Sequence, residues 1–329
     1  MDGTAGQQGA AYVSTGRLPD PVDVQRWLDE AYEQVRADTE GEPSQVYPAL
    51  ARVSPDLFGV SIVGTGGRAF DAGDAAHEFT IMSVSKPFVF ALVCEALGPD
   101  EARARLGANS TGLPFNSLEA VERTGGVTNP MVNPGAIAAT SLVAGASLEG
   151  RWRALREGIS RFAGRELELD EEVLASALAT NARNQSIARL LESYGRLACD
   201  AGEAVELYSR QCALRVSAHD LAVMGATLAD GGVNPVTGER VIDQQVCHHT
   251  LAVMLTAGMY ETSGDWLYDV GLPAKSGIGG GIVTVSPGKG GMGTFGPRLD
   301  HAGNSVKGQR VARLLSARLG LDLLISSPA

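Results

Sequence analysis

Residues 79–88 read FTIMSVSKPF, which places Ser83, Val84, Ser85 and Lys86 in a row. A serine is thus followed three positions later by a lysine. The downstream run VFALVCEAL, residues 89–97, is apolar and of helix length. Residues three apart on a helix share a face, so Ser83 and Lys86 point the same way. That geometry suits a hydroxyl that must lose its proton to an amine. It equally suits the polar first turn of an ordinary helix, because so short a motif recurs by chance. The rest of the chain has to decide.

Composition narrows the field. The 329 residues are 44% hydrophobic and 20% charged, enough for one large core or two subdomains. A net charge of −11 with no run of lysine or arginine argues against nucleic acid or an anionic membrane as partner. The four cysteines, at 94, 199, 212 and 247, lack C-x-x-C spacing, and Cys94 sits in an apolar helical pattern. This is the usage of a reducing compartment, so a cytoplasmic protein is expected. The five histidines lack metal-ligand spacing, and the adjacent His248 and His249 cannot face one site from a helix. No metal and no cofactor are expected. The opening MDGTAGQQGAAYVSTGRLPD has neither a basic nor an apolar leader region; residues 1–20 are expected to be disordered. No apolar run reaches the ~18 residues of a spanning helix.

The organisation is a helical middle between two β-rich ends. Residues 21–38 carry a helix, with Val24, Trp27, Leu28, Ala31 and Val35 at helical spacing and Pro21 near its start. DLFGVSIVGTGGRAFDAGDA, residues 56–75, reads as a hairpin leading into the Ser83 helix. Helical periods fill about 83–225, including EEVLASALATNARNQSIARLLESYG as one run over 171–195. LPAKSGIGGGIVTVSP then reads as strand, tight turn, strand, GKGGMGTFGP continues as another glycine-rich hairpin, and NSVKGQRVARLLSARLG closes with an amphipathic helix. Strands from both ends must share one sheet, giving an α/β (α+β) fold: a sheet flanked by helices plus a helical subdomain. The expected division is a single catalytic domain over 21–320, with a sheet subdomain from about 21–82 and 226–320, a helical subdomain over about 83–225, and a tail at 321–329.

A serine–lysine pair needs backbone donors for an oxyanion, a proton relay and groups that orient substrate. KSGIGGG at 275–281 offers a backbone that approaches a substrate closely, or equally a bulge or tight hairpin. Tyr260, in AGMYETSGDW, offers a phenol that relays a proton, or an ordinary packing tyrosine. Asn133 before Pro134 reads most simply as a helix N-cap with proline in the first turn.

Five strings occur here in one order: DLFGVSIV with AGDA, then SVSK, NPMVNPGAIAATSLV, RNQSIARLL, GLPAKSGIGGGIV, with LDHAGNSVKG near the end. In that order they resemble the bacterial and mitochondrial glutaminases over roughly residues 24–320. The family fold is similar to that of the serine β-lactamases and penicillin-binding proteins. The resemblance implies Ser83 as nucleophile, Lys86 as its base and Tyr260 as the family's second catalytic tyrosine. It implies an oxyanion hole from the N–H groups of Ser83 and Ile278, where the family usually has valine. It implies substrate contacts from Asn133, Asn184, Tyr208 and Tyr47. Two positions depart from the pattern. Met82 stands where the family commonly has glutamine, and Ala177 where it has a glutamate that pairs with the substrate's α-ammonium. The Asp170–Glu172 run is the nearest source of a replacement acid.

The resulting expectation is a serine amidohydrolase that cleaves the side-chain amide of L-glutamine or a related amide. A homodimer or homotetramer acting on a small-molecule amide is expected. Two alternatives stay open: an enzyme repurposed for an acyl substrate without a free α-amine, and an idle binding protein. A β-lactamase-like activity fits less well, because the S-D-N signature is absent and KSG replaces K-T-G.

Overall fold

The computed structural model describes Gly16 and residues 18–326, so most of the segment expected to be disordered lies outside the described residues. Among the described residues seven strands form: β1 (Gly59–Gly64), β2 (Ala69–Gly73), β3 (Phe79–Thr80), β4 (Arg215–Val216), β5 (Ala274–Ser276), β6 (Gly281–Ser286) and β7 (Gly290–Phe295). Five make an antiparallel sheet in the order β2-β1-β7-β6-β5. The β1–β7 pairing, with Ile62 opposite Met292, joins the N-terminal hairpin to the C-terminal one, as the two β-rich ends required.

Helices cover both faces. On one side lie the helices Pro21–Val35 and Val306–Arg318, whose Val24, Leu28, Val311 and Leu315 meet Val60, Ile62, Ile282 and Met292. Asp20 caps the first of these by accepting from the Val22 N–H at 2.9 Å. On the other side the helix Ala218–Ala229 lies directly on β7. The glycines of that strand explain how. A Cβ on Gly293 would stand 2.0 Å from Ala218 O, and one on Gly291 2.3 Å from Ala222 O. Side chains at either position would push the helix off the sheet. This helix straddles residue 225, the expected edge of the helical subdomain, and it packs with the sheet. Leu321, the first residue of the expected tail, is likewise buried in the core beneath the sheet.

The helical lobe surrounds the buried helices Lys86–Leu97 and Asn133–Ser141. One expected helix is two. The run over 171–195 breaks into Glu171–Ala179 and Ala182–Ser193. Thr180 lies at the break with its hydroxyl on Ser176 O at 2.8 Å. Thr and Asn favour such local bonds over helix continuation. The break re-aims the second helix, which carries Asn184. Among the described residues no helix is long and apolar enough to cross a membrane.

Candidate active site

The junction of sheet and lobe is made by a short ribbon. β3 pairs with β4, and the Ile81 N–H donates to Leu214 O at 2.8 Å. The chain then turns sharply at Met82, whose φ is +49°. A left-handed residue with a side chain costs about 1–3 kcal/mol and persists only where surroundings enforce it. A single 3-10 turn, Met82–Ser85, follows and runs into the helix Lys86–Leu97. Ser83 and Lys86 are therefore three apart on a 3-10-to-α junction, where such residues align.

The turn is buttressed from beneath. Ser85 Oγ donates to Met82 O at 2.7 Å and accepts from Gln211 Nε2 at 2.8 Å. Gln211 Oε1 in turn accepts from Thr140 Oγ1 at 2.8 Å. This chain of buried bonds ties the Ser83 turn to the helices Asn133–Ser141 and Ala201–Cys212, which carry Asn133 and Tyr208.

Lys86 is 1% exposed. Its Nζ donates to Asn133 Oδ1 at 2.8 Å and to Met131 O at 3.2 Å, and stands 5.9 Å from the centre of the Tyr208 ring. No carboxylate pairs with it among the described residues. Burial accordingly draws its pKa down to about 7, against a small opposing influence from Cys212. Asn133 Oδ1 also accepts from the Tyr208 hydroxyl at 3.2 Å, and Asn133 Nδ2 donates to Asn184 Oδ1 at 3.0 Å. Asn133 is the first helical residue rather than the cap, which is Val132. Its side chain serves the lysine instead of the helix end.

Tyr260 enters from the opposite wall with φ +54° and 8% exposure. Burial raises its pKa, and the adjacent Ser83 side chain pulls against that rise. Its ring packs on Phe115, centroids 4.9 Å apart, and Lys275 Nζ stands 4.3 Å from its centre. Lys275 donates to Gly258 O at 2.9 Å and Ser276 O at 2.6 Å; burial and then the nearby Lys86 hold its pKa well down. Beyond β5 the chain passes so near Ser83 that a Cβ on Gly277 would stand 3.2 Å from Ser83 N. Among the described residues, neither the Ser83 nor the Ile278 N–H finds an acceptor in the protein. Tyr47 is partly buried against the lobe core, near enough to Tyr208 to help raise that phenol's pKa, for which burial is the main cause.

The eight residues singled out by the sequence thus line one junction or its margin. Ala177 is 4% exposed, near the end of its helix. Two acids of the run that could replace it are occupied: Asp170 caps that helix at its far end through the Val173 N–H, and Glu172 pairs with Arg52. Ser85, Gln211, Cys212 and Lys275 also stand at this junction, and no role in the site was assigned to them from the sequence. Gln211 and Cys212 lie three and four residues beyond Tyr208 on one helix, a spacing that could have drawn them in. Cys212 stays a thiol, since burial pushes it up to about 11. Among the described residues no group of three or more ligating side chains gathers that could hold a metal ion.

Residues 41–324 match the family model for glutaminase. The chain belongs to the glutaminase family. Its members are amide hydrolases acting on carbon–nitrogen bonds. This glutaminase-family chain is 64% identical to Glutaminase 2 of Yersinia pestis over 318 residues, 96% of this chain and 94% of the relative. Among solved structures it superposes on the probable glutaminase ybaS with a TM-score of 0.92 at 42% identity, covering 94% of this chain and all of the other. It also resembles the Bacillus subtilis glutaminase YbgJ, in covalent complex with 5-oxo-L-norleucine, with a TM-score of 0.81 and 28% identity, over 92% and 99% of the two chains. The mixed fold inferred from the strings around Ser83 is the one these glutaminases share.

Proposed function

We propose that the enzyme hydrolyses the side-chain amide of L-glutamine to glutamate and ammonia with Ser83 as nucleophile and Lys86 as base. The observation that carries this reading is the hydrogen-bonding of Lys86. A neutral amine has two N–H donors and one lone pair. Met131 O and Asn133 Oδ1 take the two donors, which leaves the lone pair for the hydroxyl on the same face, Ser83. Ser83 Oγ then bonds the amide carbon as its proton passes to Nζ. The oxyanion meets the N–H groups of Ser83 and Ile278. The C–N bond breaks as the nitrogen receives a proton through Tyr260 or Lys86, and ammonia leaves. Water repeats the attack on the acyl ester and releases the acid. Asn184 Nδ2, with Tyr47 and Tyr208, orients the substrate.

The covalent adduct of YbgJ with 5-oxo-L-norleucine, formed from 6-diazo-5-oxo-L-norleucine, supports a nucleophile reactive toward a glutamine-shaped ligand in that relative. The same reagent tests Ser83. The diazo carbon takes up a proton, equivalent to the one the serine gives up, and the serine oxygen then displaces dinitrogen from it and keeps the norleucine chain. One adduct per chain is expected on the peptide containing Ser83, and none in Ser83→Ala. Labelling that persists in Ser83→Ala would overturn the assignment.

The lowered pKa of Lys86 sets the pH dependence. The base acts only when neutral, so kcat/KM should rise through a limb near pH 7, the lysine's pKa. Below it the rate should fall about tenfold per pH unit. Tyr260 and Tyr208 are both raised and stay protonated, so neither should add a descending limb below about pH 10. A profile that is flat between pH 5.5 and 8 would remove Lys86 from the role of base. With this reading go a single catalytic unit over 21–320 and a homodimer or homotetramer in the cytoplasm. The four free thiols fit a reducing compartment.

A further inference from the structure

We propose that Asn304, in the C-terminal loop over residues 300–304, is a positioning residue that holds Tyr260 in place beside Ser83. The proposal rests on the proton-relay role of Tyr260 given above. Its starting point is the backbone of Tyr260, left-handed at φ +54° in a residue that carries a side chain. Such a turn needs ties. Two are local: Ser263 Oγ donates to Tyr260 O at 2.8 Å, and Thr262 Oγ1 donates to Met259 O at 3.0 Å. Asn304 supplies a distant one. Its Nδ2 donates to Thr262 Oγ1 at 2.9 Å and makes a longer contact, 3.5 Å, with Met259 O. It therefore braces both sides of Tyr260 from a segment more than forty residues away in sequence.

Asn304 is itself held rigidly. It is fully buried, and its N–H donates to Asp300 Oδ1 at 3.0 Å. Asp300 Oδ1 also accepts from the N–H groups of Ala302 and Gly303, each at 2.9 Å, and Oδ2 accepts from Gln309 Nε2 at 2.8 Å. Gly303, at φ +97°, presses its backbone toward the site. A Cβ there would lie 3.5 Å from Ile278 Cγ2 and 3.7 Å from Tyr260 Cε2. One loop thus backs both the relay and the residue whose N–H faces the oxyanion.

The chemistry of Asn304 favours positioning over simple packing. Its Oδ1 is buried without a partner. An orphaned buried acceptor is unfavourable. The amide cannot turn over to relieve it, because Met259 O is an acceptor and demands the donor end. An apolar residue would fill the space without the orphan, so the donor is what the position keeps.

The test compares Asn304→Ala and the near-isosteric Asn304→Asp, which puts an acceptor where the donor was. Each is measured for kcat and KM on L-glutamine, alone and combined with Tyr260→Phe, alongside its melting temperature. A displacement of catalytic geometry by about 1 Å costs on the order of 100-fold in rate. Asn304→Ala and Asn304→Asp should each lower kcat by about that factor with KM within about twofold of wild type. In the Tyr260→Phe background the additional loss should be no more than about twofold, because a residue acting through Tyr260 has nothing left to place. Asn304→Ser carries the same comparison where the alanine variant does not fold. A kcat within about threefold of wild type overturns the proposal, as does an undiminished further loss in the Tyr260→Phe background. If Tyr260→Phe alone leaves kcat intact, the relay reading falls instead, so the two failures are told apart.

Discussion

Ser83→Ala is expected to abolish turnover of L-glutamine, with kcat down by about 10⁴-fold or more, in a protein that melts close to the wild-type temperature. The hydroxyl is the only atom removed, and the turn around it is held by other groups. Ser85 Oγ, Gln211 and Thr140 brace the backbone from below, and none depends on Ser83. Lys86→Met should be as damaging for the opposite reason. It leaves the nucleophile in place and removes the base. A buried amine unpaired by any carboxylate is itself unfavourable, so an apolar replacement of similar volume should not cost the fold much. On the proposed mechanism, nucleophile and base act as one unit. The double variant should therefore be hardly slower than either single one. Circular dichroism and thermal melting establish that the variants are folded, and ammonia release reports turnover. Near-normal amidase activity in Ser83→Ala would sink the serine mechanism outright.

The placement of Ser83 and Lys86 on one turn was legible because their spacing is local. Three positions along a helical turn suffice to align Ser83 with Lys86, and short apolar runs beside glycine-rich turns suffice to place β1 and β6. What the sequence hid depends on tertiary approach. The glycines of GGMGTF, residues 290–295, read as turn or hairpin residues, yet Gly291 and Gly293 sit within a strand because a helix from another part of the chain rests on them. Nothing within the strand announces that partner. Asn133 read as a cap by its neighbours' identities, but its amide is more useful 2.8 Å from a buried lysine than on its own helix end. The continuous helical period over 171–195 concealed the break at Thr180, since periodicity survives a one- or two-residue interruption. Lys275 stood in a string already noticed for its glycines. Only its place at the Tyr260 ring reveals why a lysine is there.

Ala177→Glu is expected to raise kcat/KM for L-glutamine about tenfold or more and to leave glutaramate, the same amide without the α-amine, unimproved. An α-ammonium carried into a dry pocket needs a counter-charge or several acceptors. The residues assigned to the site, Tyr47, Met82, Lys86, Asn133, Asn184, Tyr208, Tyr260 and Ile278, include no acid. Two carboxylates act on Tyr260 electrostatically, and both have other work. Glu261 accepts from the Phe115 N–H at 3.2 Å, and Asp300 organises its own loop. The Asp170–Glu172 group lies a helix length away: seven residues at about 1.5 Å each put Asp170 about 10 Å from Ala177. The wild-type enzyme should accordingly discriminate little between L-glutamine and glutaramate, with kcat/KM values within about tenfold. A glutamate at 177 should widen that ratio in favour of the amino acid, and Met82→Gln, which adds a neutral acceptor, should widen it less. Removing one partner of a desolvated charge pair costs about 3–5 kcal/mol. Restoring one into a pocket built without it should recover only part, which is why about 1.4 kcal/mol, or tenfold, is the expected gain. A wild-type enzyme that already prefers L-glutamine over glutaramate by a thousandfold would mean that a counter-charge reaches the amine by another route, and the altered-pocket reading would fall.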